Sequence, residues 1–169
     1  NKVLEKEPDN IYHLFQLSQS HAMYGRPKEA LEPIEKAYEL AKSKGLSNHM
    51  NVVTQLANVR FKNGMFRECE AICQEGLALK DGYVDLYYFQ AMSQVELGKY
   101  EDAIRNFRRY LSLVEDYERG RVVVDLSLSH HTLRSAEHVY LVLCAVHKKR
   151  DELDLAAKYG EKIRDRALA

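Results

Sequence analysis

Three stretches of the chain repeat one skeleton around a glycine, and this repetition limits the folds that the chain can adopt. They read GRPKEALEPIEKAYEL, GMFRECEAICQEGLAL and GKYEDAIRNFRRYLSL, and they begin at Gly25, Gly64 and Gly98. Small and apolar residues match position by position after each glycine, and further matches precede it. A spacing of 34 residues, as between Gly64 and Gly98, is typical of an array of helix-turn-helix units.

Apolar residues recur at intervals of three and four on both sides of each glycine, which predicts two amphipathic helices per unit. The glycine supplies the positive φ that ends the first helix. Small residues in matching slots predict a close approach of the two backbones, and these residues are Ser18 with Ala30, Ala57 with Cys69, and Ala91 with Ala103. Because one pair buries only one stripe, a core forms only when neighbouring pairs stack.

These residues resemble the tetratricopeptide repeat family. The resemblance implies an all-α fold, a right-handed superhelical α-solenoid of antiparallel helix pairs. We interpret the chain as a single domain, 1–169, with about three regular repeats and one degenerate repeat that has Asp151 where glycine would stand. The expected bounds are 1–10 for the end of a preceding repeat, 11–44, 50–83 and 84–117 for the regular repeats, 118–136 for an irregular insertion, and 137–169 for the degenerate repeat.

The insertion is the least generic part of the chain. Within it, Val122, Val124, Leu126 and Leu128 alternate with other residues, which favours an extended segment over a helix. Such a segment could cover the groove as a lid or offer an edge to another chain. The alternative is a packed loop that bridges an irregular junction between repeats.

Composition argues against several classes of partner and compartment. The chain has 25 basic and 25 acidic residues, dispersed along its length, so neither nucleic acid nor an anionic membrane is favoured. No apolar run approaches the roughly 20 residues that span a bilayer. The three cysteines lack zinc-site spacing, which favours reduced thiols and a cytoplasmic protein.

The resemblance also implies a concave groove, lined by the first helix of each pair. Aromatic faces beside amides suit an extended peptide or a helix, although some of the aromatic residues would serve helix packing instead. The Lys and Asn set with which some family members clamp a terminal carboxylate is missing. The expected groove residues are Tyr12, Phe15, Gln19, Asn51, Asn58, Phe61, Lys62, Asp85, Tyr88, Phe89 and Met92.

Motifs for catalysis, metal binding or a cofactor are not found in the sequence, so we expect no catalytic residue, no metal and no cofactor in this segment. Cys69 and Cys73 are one helical turn apart in apolar slots, which favours core packing over half of a metal site. His130 and His131 are adjacent and would point to opposite sides of an extended backbone. Arg105, Arg108 and Arg109 are interspersed with acidic residues, as on a solvated helix face.

Three functional hypotheses follow. The first is a protein-interaction scaffold that binds a peptide or protein segment, with homodimers as a further option. The second rests on residues 5–40 and 84–120, which are similar to the repeat regions that follow the catalytic domain in bacterial family 2 glycosyltransferases. This similarity implies an accessory region for acceptor binding or dimerisation, with catalysis upstream of Asn1. The third is a sensor whose curvature changes when a signalling peptide binds.

Overall fold

The structure is a computed structural model that describes residues 9–46, 49–123 and 130–167. These ranges contain eight α-helices and no strand. In chain order the helices are α1 (Ile11–Met23), α2 (Pro27–Ser43), α3 (Met50–Lys62), α4 (Phe66–Leu79), α5 (Val84–Glu96), α6 (Tyr100–Glu118), α7 (Ala136–Lys149) and α8 (Leu153–Ala167). The prediction of an all-α chain of helix pairs is confirmed.

Each pair turns at the residue that the sequence indicated. Gly25, Gly64 and Gly98 all have a φ of 73°, in the left-handed region that favours glycine. In the last pair Asp151 takes this position with a φ of 58°. The N–H of Glu152 then donates to the carbonyl of His147 at 2.9 Å, the same closing bond that follows each of the three glycines. The degenerate repeat therefore keeps the turn geometry without the glycine.

The pairs stack side by side along the chain. Helix α3 packs against both α1 and α5, while α2 packs on α3 and α4 packs on α5. The small residues predicted to allow close approach are completely buried, and these are Ser18, Ala30, Ala57, Cys69, Ala91 and Ala103. Side chains of this size let the helix backbones approach without leaving a void.

Two apolar clusters form the core, and α5 lies between them and contributes residues to both. The first cluster joins the first two pairs to Leu86 and Phe89 of α5. The second joins Val84 and Ala91 of the same helix to α6 and α7. Helix α5 is thus apolar on more than one side, as expected of a helix inside a stacked array.

The third junction between pairs differs from the first two in the size of one residue. Gly76 of α4 lies so close to α5 that an added Cβ would come within 2.6 Å of Leu86 Cδ1. Ala37 occupies the equivalent slot in α2 and is completely buried. The third slot holds Tyr110 of α6, also completely buried, and its hydroxyl donates to the carbonyl of Thr132. A large side chain and a loop residue therefore fill the space into which the first helix of the next pair packs at the earlier junctions.

Of the described residues of the predicted insertion, only the first and last, 118 and 136, are helical. Helix α6 continues to Glu118, and α7 begins at Ala136. Between them, residues 130–135 form a turn against the third pair, with Thr132 buried and Leu133 packed against the second cluster. Most of the alternating stretch predicted to be extended lies at 124–129, outside the described residues.

Candidate functional site

The predicted groove residues lie on α1, α3 and α5, and they differ widely in exposure. Tyr12 and Lys62 are exposed, and the half-buried members are Gln19, Asn51, Phe61, Tyr88 and Met92. Phe15, Asn58, Asp85 and Phe89 are buried. A ligand in the groove would therefore meet mainly the exposed and half-buried members.

Aromatic side chains form a continuous row across the last three pairs. The ring of Phe61 lies 5.7 Å from that of Phe66 and 6.1 Å from that of Phe89, measured between centroids. Tyr88 lies 5.5 Å from Phe89 and 6.2 Å from His138 of α7. These separations suit tilted and edge-to-face aromatic contacts. The row fixes the relative positions of α3, α5 and α7.

Tyr88 is the polar point of this row. Its hydroxyl lies 2.9 Å from Nδ1 of His138, at hydrogen-bond distance. Burial raises the pKa of the Tyr88 hydroxyl, so the phenol stays neutral and can donate. Phe61, Tyr88 and Met92 each keep part of their apolar surface in contact with solvent.

The groove continues onto α7, where the sequence analysis placed no site residue. Leu141 stands ten residues before Asp151, as Tyr88 stands ten residues before Gly98. Leu141 is 51% exposed, which is unusual for a leucine on the first helix of a pair. His138 lies one turn earlier and already contacts Tyr88. The same offset from the turn residue, applied to the degenerate repeat, could have identified Leu141.

Asp85 is placed where a ligand does not reach it. Its side chain is completely buried and accepts a hydrogen bond from the backbone N–H of His131 at 2.7 Å. It accepts two more from the N–H and the hydroxyl of Thr132, at 2.9 and 2.5 Å. The carboxylate therefore anchors the 130–135 turn to the start of α5, and a groove ligand would have to displace that turn to use it.

Amide side chains lie beneath the exposed part of the groove. Gln55 donates to the hydroxyl of Ser18 at 3.3 Å and joins α3 to α1. Asn58 lies next to Gln55, with their amide groups 3.5 Å apart. These bonds satisfy polar groups that stacking buries, and half-buried Gln19 and Asn51 remain the amides nearest to solvent.

One slot near the end of each first helix holds a polar residue in all four copies. In every copy the polar side chain meets a glutamate: His21 with Glu29 at 3.3 Å, Arg60 with Glu35 at 3.4 Å, Gln94 with Glu70 at 3.0 Å and His147 with Glu152 at 2.5 Å. The Arg60 and Gln94 contacts reach back to the preceding pair. The Arg60 and Gln94 contacts therefore depend on neighbouring pairs being in register, whereas the two histidine contacts lie within one pair.

The cysteines pack as core residues. Cys69 and Cys73 are completely buried in the first cluster, and neither forms a disulfide. Burial raises the pKa of the Cys73 thiol, which keeps it protonated. Within the described ranges, no group of three or more His, Cys, Asp or Glu side chains is arranged to hold a metal ion.

Comparisons with known proteins bear on the fold. No protein-family model matches the chain, and no curated protein matches it in sequence. A crystal structure of MamA matches with a TM-score of 0.76 and 19% identity, over 98% of this chain and 83% of that one. MamA residues 41-end from Desulfovibrio magneticus RS-1 match with a TM-score of 0.75 and 15% identity, over 96% of this chain and 78% of that one. MamA is a helical repeat protein of the tetratricopeptide type.

The chain folds as a tetratricopeptide-type repeat solenoid. At these identities the likeness to MamA is one of fold. The similarity to glycosyltransferase repeat regions stays a prediction from the sequence, as does the sensor hypothesis. No helix in the described part of this solenoid is both long and apolar enough to cross a membrane.

Proposed function

We propose that this solenoid is a protein-interaction scaffold, and that its inner groove binds a peptide or protein segment. The observation that carries the proposal is the aromatic row, which runs without a break from Phe61 through Tyr88 to His138. Three different helix pairs contribute to it. A partner segment lying along the groove would therefore contact several repeats at once, which is how solenoids use their concave surfaces.

The surface chemistry suits an apolar segment. Half-buried Phe61, Tyr88 and Met92, together with exposed Leu141, offer contact area that is already held in place by packing. Side chains ordered before binding lose little further conformational freedom, so more of the contact energy appears as affinity. Methionine adapts its shape to different partners. Lys62 at the edge can contribute a charge contact to the rim.

Of the expected groove residues only Lys62 and Asp85 are charged, which argues for an apolar rather than an ionic anchor. Asp85 is committed to the 130–135 turn. Phe15 and Phe89 are buried in the first cluster and offer little surface to a ligand. We therefore expect a partner segment with two or three large apolar side chains and weak dependence of its affinity on salt.

The experiment is a selection of phage-displayed random peptides on the purified chain, followed by affinity measurements on the peptides obtained. Met92→Asp and Leu141→Asp place a charge in the groove at positions that retain solvent contact. Leu153→Asp is the matched control, because Leu153 is 62% exposed at the start of α8 and outside the aromatic row.

We expect each groove variant to weaken binding by at least tenfold while the control binds as the original chain does. Circular dichroism checks that all three variants remain helical. A selection without binders, or binders that tolerate both groove variants, contradicts the proposal. Equal losses in the control would also contradict it, because the peptide would then bind elsewhere.

A further inference from the structure

A second concave surface lies between the outer helices of the last two pairs. This cleft has a volume of about 560 Å³ and separates α6 from α8, with residues of α7 at its base. Its position is distinct from the aromatic groove, which is built from the first helices of the pairs.

The departure from the repeat explains why the cleft exists. At the earlier junctions Ala37 and Gly76 let the next helix pack closely on the outer helix. At the third junction Tyr110 and Thr132 occupy that space, and the fourth pair is held through the contact of α6 with α7. The fourth pair therefore contacts the third pair at this junction through a tyrosine and a loop residue rather than through a small residue, and the opening lies beside this contact.

Three cationic side chains face this opening. Arg108 comes from α6, and Lys158 and Lys162 come from α8. In the described part of the chain none of the three has a carboxylate within 4.0 Å. Arg119, a fourth cation of the cleft, is neutralised by Glu115 at 2.5 Å. The unpaired cations therefore come from both walls of one cleft.

The charge of the cleft changes along its length. Arg108 and Lys158 lie in the first halves of their helices, whereas Glu118 and Asp165 lie near the ends. Because the pairs repeat one orientation along a solenoid, α6 and α8 run in the same direction. Arg108 and Lys158 therefore lie toward one end of the cleft and the carboxylates of Glu118 and Asp165 toward the other, with Lys162 between them, so a ligand with an acidic end is favoured in one orientation.

Aromatic and apolar side chains lie between the two ends. Tyr140 and Tyr159 stack with their ring centroids 6.2 Å apart, and both line the cleft with Leu111. Tyr159 also stacks on buried His147 at 5.4 Å with an angle of 10° between the ring planes. These two contacts hold the Tyr159 ring in place, and because the residue is only half-buried, its exposed part can contact another apolar or aromatic group.

The shape favours a peptide over a compact anion. The stripe of α6 that lines the cleft runs from Arg108 to Glu118 and is about 15 Å long, since an α-helix rises about 1.5 Å per residue. An extended chain of about five residues has that length at about 3.3 Å per residue. We propose that the cleft binds a short peptide segment of a partner protein, with acidic side chains at Arg108, Lys158 and Lys162 and an apolar or aromatic side chain against Tyr159.

The test titrates the ¹⁵N-labelled chain with the end-blocked peptide Asp-Glu-Phe-Gly-Gly and follows the amide resonances by NMR. Two comparison peptides replace the acidic pair by Asn-Gln or by Lys-Lys. We expect saturable shifts centred on Leu111, Tyr140 and Tyr159 for the acidic peptide, with affinity at least tenfold weaker for the Asn-Gln peptide and no binding of the Lys-Lys peptide. No binding of the acidic peptide below about 1 mM overturns the proposal.

Charge reversal locates the contact. The variant with Lys158→Glu and Lys162→Glu should bind the acidic peptide at least tenfold more weakly, whereas Lys28→Glu with Arg67→Glu makes the same change in net charge on the exposed faces of α2 and α4. An equal loss in both variants overturns the proposal, because it would show attraction to net charge alone. Leu141→Asp, which should weaken binding in the groove, should leave binding of this peptide unchanged. The two proposals are therefore tested by different variants, and either can be overturned while the other stands.

Discussion

The carboxylate of Asp85, in the first turn of α5, accepts hydrogen bonds from the backbone N–H and the hydroxyl of Thr132 at 2.9 and 2.5 Å. The two residues are 47 positions apart in the sequence. With the bond from the N–H of His131, this contact holds the 130–135 turn on the third pair. The carbonyl of Thr132 in this turn accepts a hydrogen bond from the hydroxyl of Tyr110. One buried carboxylate therefore positions the surface that the fourth pair contacts.

Replacement of this carboxylate by an amide should therefore destabilise the chain. Asp85→Asn keeps the shape but turns an N–H donor toward the N–H of His131, which leaves a buried donor without its acceptor. The expected loss in the free energy of unfolding is about 1–3 kcal/mol, measured by urea denaturation. Asp102→Asn is the control, because Asp102 forms an exposed ion pair with Arg105 and such pairs contribute about 0.5 kcal/mol or less. Equal losses for the two variants would contradict the anchoring role.

Two glycines inside helices should respond in opposite directions to the same substitution. Gly76→Ala places a Cβ 2.6 Å from Leu86 Cδ1 and 2.8 Å from Val53 Cγ1, inside the core. The overpacking of about 1–3 kcal/mol exceeds the gain of about 1 kcal/mol in helix propensity, so the free energy of unfolding should fall. Gly160 of α8 has nothing within 4 Å of an added Cβ.

Gly160→Ala should therefore raise the free energy of unfolding by about 0.4–1 kcal/mol, because it increases the helix propensity and lowers the conformational entropy of the unfolded chain without a clash. Thermal denaturation of the two single variants, followed by circular dichroism, gives the comparison directly. A stabilising Gly76→Ala would show that α4 and α5 do not approach as closely as the structure has them.

The repeat skeleton was readable from the sequence because it depends on local chemistry. Gly25, Gly64 and Gly98 mark turns that only a residue tolerant of positive φ can make, and the small residues around them mark close backbone contacts. Both signals lie within one repeat. Helix order, pairing and the slots of the small residues could therefore be predicted.

The surfaces depend instead on contacts between distant residues. Asp85 has the position of a groove residue, but its partner Thr132 lies outside the period, so no repeat alignment could show that the carboxylate is buried. Tyr110 was visible as a large residue in a small slot, whereas its hydrogen bond to Thr132 was not. Leu141 is apolar and looks like a core residue in the sequence, and its exposure in the structure assigns it to the surface.

The Glu152 carboxylate should make stability depend on pH in acid. Arg150 donates to it at 3.0 and 2.9 Å and His147 lies 2.5 Å away, and these contacts lower the pKa of Glu152 from 4.5 to about 2. A carboxyl with a lower pKa in the folded state stabilises that state above the unfolded pKa, and the stabilisation is lost as the pH falls through the folded pKa.

The melting temperature of Glu152→Gln should therefore lie below that of the original chain at neutral pH, and the gap should close between about pH 4.5 and 2. Glu161→Gln, the same change at an exposed position of α8 beyond its first turn, is the control and should show a much smaller gap. A gap that stays constant through this range would mean that the amide disturbs packing and that the charge contributes nothing.

The turn of the last pair allows a reciprocal test of the strain in its backbone. Asp151 has a φ of 58°, whereas Gly98 has a φ of 73° at the same point of the third pair, where an added Cβ would meet nothing within 4 Å. Because a side chain in the left-handed region costs about 1 kcal/mol, Asp151→Gly should raise the free energy of unfolding by about that amount and Gly98→Asp should lower it similarly. Urea denaturation of the two variants and of their combination measures both. A lower free energy of unfolding for Asp151→Gly would contradict this expectation. It would show that contacts of the aspartate side chain stabilise the turn by more than the left-handed backbone costs.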